Sequence, residues 1–171
     1  MMEIEVTEKK VEHYLSEWFT LDKYVMQENC INLLFQELCN KNSRLVEVLL
    51  KGGDLDLVDR MAVVSFGSEV RRFYSFATKY CSHHFPEAYP IYDSYVDEML
   101  WFFHKRDYFA KFNRIDMKHF PTFVGIIDQF KSHYGLEKFS RKEIDVFLWL
   151  AGKKHFPRYK QANRAGSNKR R

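Results

Sequence analysis

Glu69-Val70-Arg71-Arg72-Phe73-Tyr74-Ser75-Phe76-Ala77-Thr78-Lys79-Tyr80-Cys81-Ser82-His83-His84 repeats its apolar residues at intervals of three and four, through Val70, Phe73, Tyr74, Ala77, Tyr80 and Cys81. That period belongs to one face of an α-helix, whereas a half-buried strand alternates. The spacing predicts a central helix over 69–84, opened by Gly67-Ser68. In Phe85-Pro86-Glu87-Ala88-Tyr89-Pro90 both prolines push the preceding residue out of the helical region, so an irregular connection follows. Asp93 or Ser94 then caps a helix holding Val96, Met99, Leu100, Phe102 and Phe103.

The same period extends to both ends of the chain. Val11, Tyr14, Leu15, Trp18 and Phe19 form one helical face behind Thr7, a side chain suited to an N-cap. A second helix is expected over about 21–40, and a third over Leu45–Leu50, stopped by Gly52-Gly53 because glycine takes a positive φ without strain. Asp54 is placed to cap a fourth over roughly 55–65. Past the central pair come a short element near 107–112 and a helix over 118–134 with Pro121 in its first turn, where proline costs least. The last helix opens on the capping-box spacing Ser140-Arg141-Lys142-Glu143. Alternating β-branched runs, Asn-Gly or Asp-Gly turns and long internal repeats are absent. The expected fold is all-α, a single compact multi-helix domain over 1–156 with a basic, disordered tail over 157–171.

Charge separates the chain into three parts. Residues 1–60 hold 7 Lys+Arg and 12 Asp+Glu, residues 61–156 hold 14 and 11, and residues 157–171 hold 6 and 0. The tail has too little apolar mass to offset its ordering entropy and would attract phosphate backbones without reading sequence. No apolar run approaches the roughly 20 residues of a membrane span, and the acidic start Met1-Met2-Glu3-Ile4-Glu5 is unlike a signal peptide, so a cytoplasmic chain with no membrane partner is expected. Cys30, Cys39 and Cys81 lie in apolar, helical stretches and read as reduced thiols.

Ala77-Thr78-Lys79 and the run from Pro86 through Pro90-Ile91-Tyr92-Asp93-Ser94-Tyr95-Val96 resemble the region after the hairpin in the helix-hairpin-helix DNA glycosylase superfamily. There, a small-residue helix and a proline-containing loop deliver an aspartate to the start of the next helix. The resemblance implies a helix-hairpin-helix glycosylase-like fold and DNA as partner. It also implies that Asp93 faces a flipped nucleotide and stabilises positive charge on the sugar as the glycosidic bond breaks, through an oxocarbenium-like transition state. An ordinary N-cap is the structural alternative for Asp93. The family's glycine-rich hairpin corresponds only to Phe66-Gly67-Ser68, and its lyase lysine would fall near Tyr74 or Ser75. A monofunctional base-excision enzyme using water is therefore implied, with Gly67, Ser68, Arg71, Arg72 and Lys79 as nucleic-acid contacts. Tyr89, Tyr92 and Tyr95 cluster near Asp93 and could stack on an extruded base or simply pack.

Other chemistries are thinly represented. Cys81-Ser82-His83-His84 holds three ligand types, but consecutive helical residues diverge and no partner pair lies at zinc-site spacing, so no metal is expected. No P-loop, dinucleotide-binding glycine pattern, HExxH or nucleophile elbow occurs, and no cofactor is expected. Arg114 and His119 have the Arg-x4-His spacing of helical HEPN-type ribonucleases. A non-catalytic module that binds a protein or nucleic acid through the same fold is the competing expectation, and the oligomeric state stays open.

Overall fold

The computed structural model describes residues 4–21, 43–66 and 68–157. The second predicted helix, Cys30, Cys39, Gly67 and the basic tail from residue 158 lie outside them. The described residues form seven α-helices, one 3-10 helix and one β-hairpin. In chain order they are α1 (Glu8–Leu21), α2 (Ser43–Lys51), α3 (Asp56–Ala62), β1 (Val63–Phe66), β2 (Glu69–Arg72), α4 (Tyr74–His84), α5 (Ser94–Asp107), the 3-10 helix (Arg114–Lys118), α6 (Phe120–Tyr134) and α7 (Arg141–His155).

The fold is predominantly helical, in keeping with the all-α expectation, and the helix expected over 69–84 needs one correction. β1 and β2 pair antiparallel, with Val63 opposite Arg72 and Ser65 opposite Val70, and Phe73 N–H extends the pairing to Ala62 O at 2.7 Å. The helix expected over 69–84 therefore begins at Tyr74. Val70, read as its first buried residue, is 68% exposed. Two strands of four residues are too short to impose a recognisable alternation, and Val70 fell by chance into the three-four spacing of the helix that follows. The expected fourth helix also stops early, at Ala62, where β1 takes over. No helix forms over 107–112. Tyr108, at φ 51°, ends α5 in the left-handed region and donates its N–H to His104 O.

The other ends follow the sequence. Thr7 caps α1, its hydroxyl accepting from Lys10 N–H at 3.3 Å. Gly53 ends α2 at φ 70°, a conformation that a side chain would strain. Pro121 sits in the first turn of α6. α7 begins with a reciprocal capping box, Glu143 N–H to Ser140 Oγ at 3.2 Å and Ser140 N–H to Glu143 Oε2 at 2.7 Å.

α5 and α7 make the most extensive helix pairing, and α1 packs on α7. Phe103, Phe120, Phe123, Phe130 and Phe147 are fully buried at the centre, with Tyr89, Met99 and Leu100. Tyr89 closes the end of α2: its hydroxyl faces the carbonyls of Asp54, Leu50 and Leu49 at 3.2, 3.3 and 3.4 Å. Burial, then the Cys81 and Asp54 charges, pushes that hydroxyl up to about 12. Tyr89→Phe is expected to lower unfolding free energy by about 1 kcal/mol, the net worth of a buried hydroxyl hydrogen bond, since each of those carbonyls also accepts a backbone N–H. Urea denaturation would measure it, and an unchanged midpoint would mean the hydroxyl contributes nothing.

Candidate active-site cleft

α5 begins where the Pro90-Ile91-Tyr92 segment turns into it, and Asp93 makes that turn. Its backbone is extended (φ −140°, ψ 179°), and its Oδ1 accepts from Tyr95 N–H at 2.8 Å and Val96 N–H at 2.9 Å. Two otherwise unsatisfied amides of the first turn are thereby met, and the helix dipole favours the charge. The segment before it is fixed from behind: Ile91 N–H donates to the buried Asp145 Oδ2 at 2.6 Å, and Tyr92 N–H to Thr78 Oγ1 at 3.2 Å.

Asp93 is both a cap and a wall of an open cleft of about 670 Å³. α4 contributes Ser75 and Lys79, α5 contributes Ser94 and Asp97, and the 3-10 helix contributes Arg114, Ile115 and Lys118, with Tyr92 at the base. Among the described residues, no side chain donates to either oxygen of Asp93. One oxygen is held by backbone amides, and the other takes no hydrogen bond among the described residues.

The rest of the cleft is charged and partly self-neutralised. Arg114 grips Asp97 Oδ2 through Nε at 2.7 Å and through a second guanidinium nitrogen, and Tyr92 donates its hydroxyl to Asp97 Oδ1 at 2.7 Å. Burial, followed by that hydrogen bond, drives the Tyr92 hydroxyl far above the ordinary phenol range. Lys118 extends its ammonium over the Tyr92 ring, 4.3 Å from its centre. Burial lowers the Lys118 pKa, Arg72 and Arg114 lower it further, and Asp97 opposes them. Lys79 and Lys118 thus face the cleft without a carboxylate partner among the described residues.

Asp97→Asn keeps an acceptor for Tyr92 and removes the charge that anchors Arg114. A loss of about 1–2 kcal/mol is expected by thermal denaturation, since a charge-assisted pair is worth more than a neutral one and Arg114 is half exposed. Arg114→Ala combined with it should add little, because the two share one interaction.

Of the residues singled out from sequence, Asp93, Lys79 and Tyr92 meet in this cleft. Arg72 stands just outside it, donating to Lys118 O and pairing with Asp59, with its guanidinium 4.5 Å from the Tyr74 ring centre. Arg71 and Ser68 are exposed on the hairpin, Arg71 paired with Glu69 at 2.7 Å. The stacking role expected for two tyrosines is corrected. Tyr89 is wholly buried under α2, and Tyr92 is only 4% exposed, with the Lys118 ammonium over its ring face. Tyr95 is half-buried against α7, where it meets Gly152. Arg114 and His119 do not converge as a ribonuclease pair: Arg114 is bound to Asp97, while His119 lies beside Thr122 Oγ1 at 2.8 Å. Cys81 is buried and His84 meets the Tyr80 ring edge-on, and among the described residues no three His, Cys, Asp or Glu side chains are grouped to hold a metal.

Asp97 and Lys118 were missed as partners of Asp93. Asp97 had a signal, since i and i+4 share a helix face. Lys118 lies 25 positions further on and reaches the cleft only through the packing of the 3-10 helix on α5.

A family model named HI_0787_N and described as an N-terminal domain matches residues 47–88, from α2 to the connection after α4. A Haemophilus influenzae protein named "Uncharacterized protein" is 47% identical over 111 residues, which is 65% of this chain and 52% of that protein. The chain thus spans about half the length of the curated relative it matches. No solved structure matches. Among the described residues, no helix is long and apolar enough to cross a membrane.

Proposed function

We propose that the chain binds DNA and acts as a monofunctional base-excision glycosylase, in a fold similar to the helix-hairpin-helix glycosylases. Asp93 carries the reading: a carboxylate fixed at a helix N-terminus, one oxygen free, opening on a cleft with Lys79 and Lys118. A negative oxygen held in place without donors of its own suits a reaction in which positive charge develops on a sugar. The two lysines suit the flanking phosphates. The chain has a β-hairpin where the resemblance would put a glycine-rich hairpin, so the reading is supported by α4, the proline-containing connection and α5 alone.

The test is binding of the full chain, and of a form ending at residue 156, to duplex DNA with and without an abasic-site analogue across a salt series. A preference for the abasic duplex should survive removal of the tail and fall about tenfold in Asp93→Asn. Asparagine caps helices as well as aspartate does, so that variant removes charge and leaves the turn intact. Equal binding to both duplexes, lost with the tail or with salt, would end the glycosylase reading. A non-catalytic interaction module would then take its place, and the hairpin supports that second reading, with Val63 and Val70 exposed on one face at 49% and 68%.

A further inference from the structure

A second charged surface, which shares no residue with the lining of the cleft, lies where the two ends of the described chain meet. α1 and α7 pack together, which brings Lys10 beside the last turn of α7 with its Lys153, Lys154 and His155. Lys154 Nζ lies 5.7 Å from the ring centre of Tyr14, one turn beyond Lys10 on α1, and Lys153 Nζ sits 3.8 Å over Trp149. The His155 pKa is lowered by burial first and then by the charges of Lys154 and Lys10, which act on the ring together.

Lys10 and Lys154 therefore flank one histidine, Lys153 belongs to the same last turn of α7, and among the described residues none of the three has a carboxylate partner. Glu8 and Glu12, the acids of α1 on either side of Lys10, are both occupied by Lys138, at 2.7 and 2.9 Å. Cations at the end of α7 are what its dipole prefers, but Lys10 occupies the first turn of α1, where the dipole disfavours them. Repulsion left uncompensated at an exposed site, against local helix chemistry, is the kind of cost that a bound partner removes. The sequence after Pro157 continues the same sign, with 6 Lys+Arg and no Asp+Glu.

We propose that Lys10, Lys153 and Lys154 form an anchoring surface for the phosphate backbone of a nucleic acid, separate from the Asp93 cleft and independent of any chemistry there. An acidic membrane has the same charge, but stable attachment to it takes apolar insertion as well. Among the described residues, the exposed large apolar ones are Val48, Val63, Val70, Phe73, Tyr108 and Ile115, and none belongs to this surface. Residues 158–171 add only Tyr159, Ala162 and Ala165 to their cations, beside Gln, Asn and Ser that hydrogen-bond to a backbone.

The experiment compares the full chain with its Lys10→Gln/Lys153→Gln/Lys154→Gln form on a short undamaged duplex over a salt series. A control form carries Lys105→Gln/Lys111→Gln/Lys131→Gln, three lysines outside the surface. Each lost phosphate contact lowers the slope of log affinity against log salt by about 0.9, so a fall of about 2–3 and at least tenfold weaker binding near 0.1 M salt are expected. The control should change much less, and the low-salt melting temperature of the triple variant should not fall, since repulsion has been removed. If an abasic preference is absent while the slope change is present, the surface stands without the glycosylase reading. An unchanged slope, an equal effect of the control, no duplex binding by the unaltered chain, or a loss seen only on phosphatidylserine vesicles would each overturn the proposal.

Discussion

Gly152→Val is expected to lower the unfolding free energy by about 3 kcal/mol or more, and Gly152→Ala by about 1–2 kcal/mol, in urea or thermal denaturation. Gly152 lies where α7 crosses the first turns of α5. A Cβ there would stand 2.8 Å from the Tyr95 Cβ, 3.0 Å from the Tyr95 carbonyl oxygen and 3.2 Å from the Met99 Cγ. Alanine would ordinarily gain about 1 kcal/mol over glycine inside a helix, so a net loss means the contact outweighs the propensity. The source of the clash can be tested separately. Two of the three atoms survive in Tyr95→Ala, which should not rescue Gly152→Ala. Met99→Ala should rescue only a small part. Full rescue by either would show that flexible side chains, and not the approach of the two helices, exclude a methyl group. Because Tyr95 N–H is one of the two amides held by Asp93, separating the helices would also disturb the cleft.

The second large effect is one of pH. The Asp145 carboxyl is buried, receives Ile91 N–H at 2.6 Å and is approached by Lys142 Nζ at 3.3 Å. Desolvation outweighs the opposing Lys142 charge and the Ile91 hydrogen bond, and its pKa rises to about 7. The folded protein therefore holds a proton that the unfolded chain, with an ordinary carboxyl, releases near pH 4. Between those values the native state binds more protons, so stability falls as the pH rises. The contribution is complete below about pH 4 and gone above about pH 7, and three pKa units correspond to up to about 4 kcal/mol. Asp145→Asn does not titrate and can still accept from Ile91 N–H. The stability difference, variant minus unaltered chain, should thus grow in the variant's favour from pH 4 to pH 7, as measured by urea titrations at several pH values. A difference that is flat over that range would show that Lys142 keeps the carboxylate charged throughout.

Where local chemistry decides, the sequence is readable. Ser140 with Glu143, Thr7, Gly53 and Pro121 each satisfy or end a helix through groups a few residues apart, and the structure uses them in those roles. The hairpin escaped because four-residue strands carry little pattern of their own, and because Val70 imitates the helical spacing of the residues after it. The cleft was half legible for a similar reason. Asp93 stands in a local motif, whereas Arg114 and Lys118 arrive on a 3-10 helix whose place depends on Arg72, Tyr74 and Asp97. Tyr89 and Tyr92 show the converse error. Aromatic residues beside a candidate site drew a functional reading, while their hydroxyls had structural acceptors 35 residues back and 5 ahead.

The packing of α1 on α7 bears on how the chain folds. Val11, Tyr14 and Leu15 are buried, and the Tyr14 ring meets Phe147 edge-on at 5.5 Å. Among the described helices, α1 thus has its chief partner in α7, about 120 residues further along the chain. Bringing α1 onto α7 closes a long loop, and such a closure is slow. The acidic, lysine-bearing outer face of α1 stays in water, so its docking on α7 is expected to be a late step of folding.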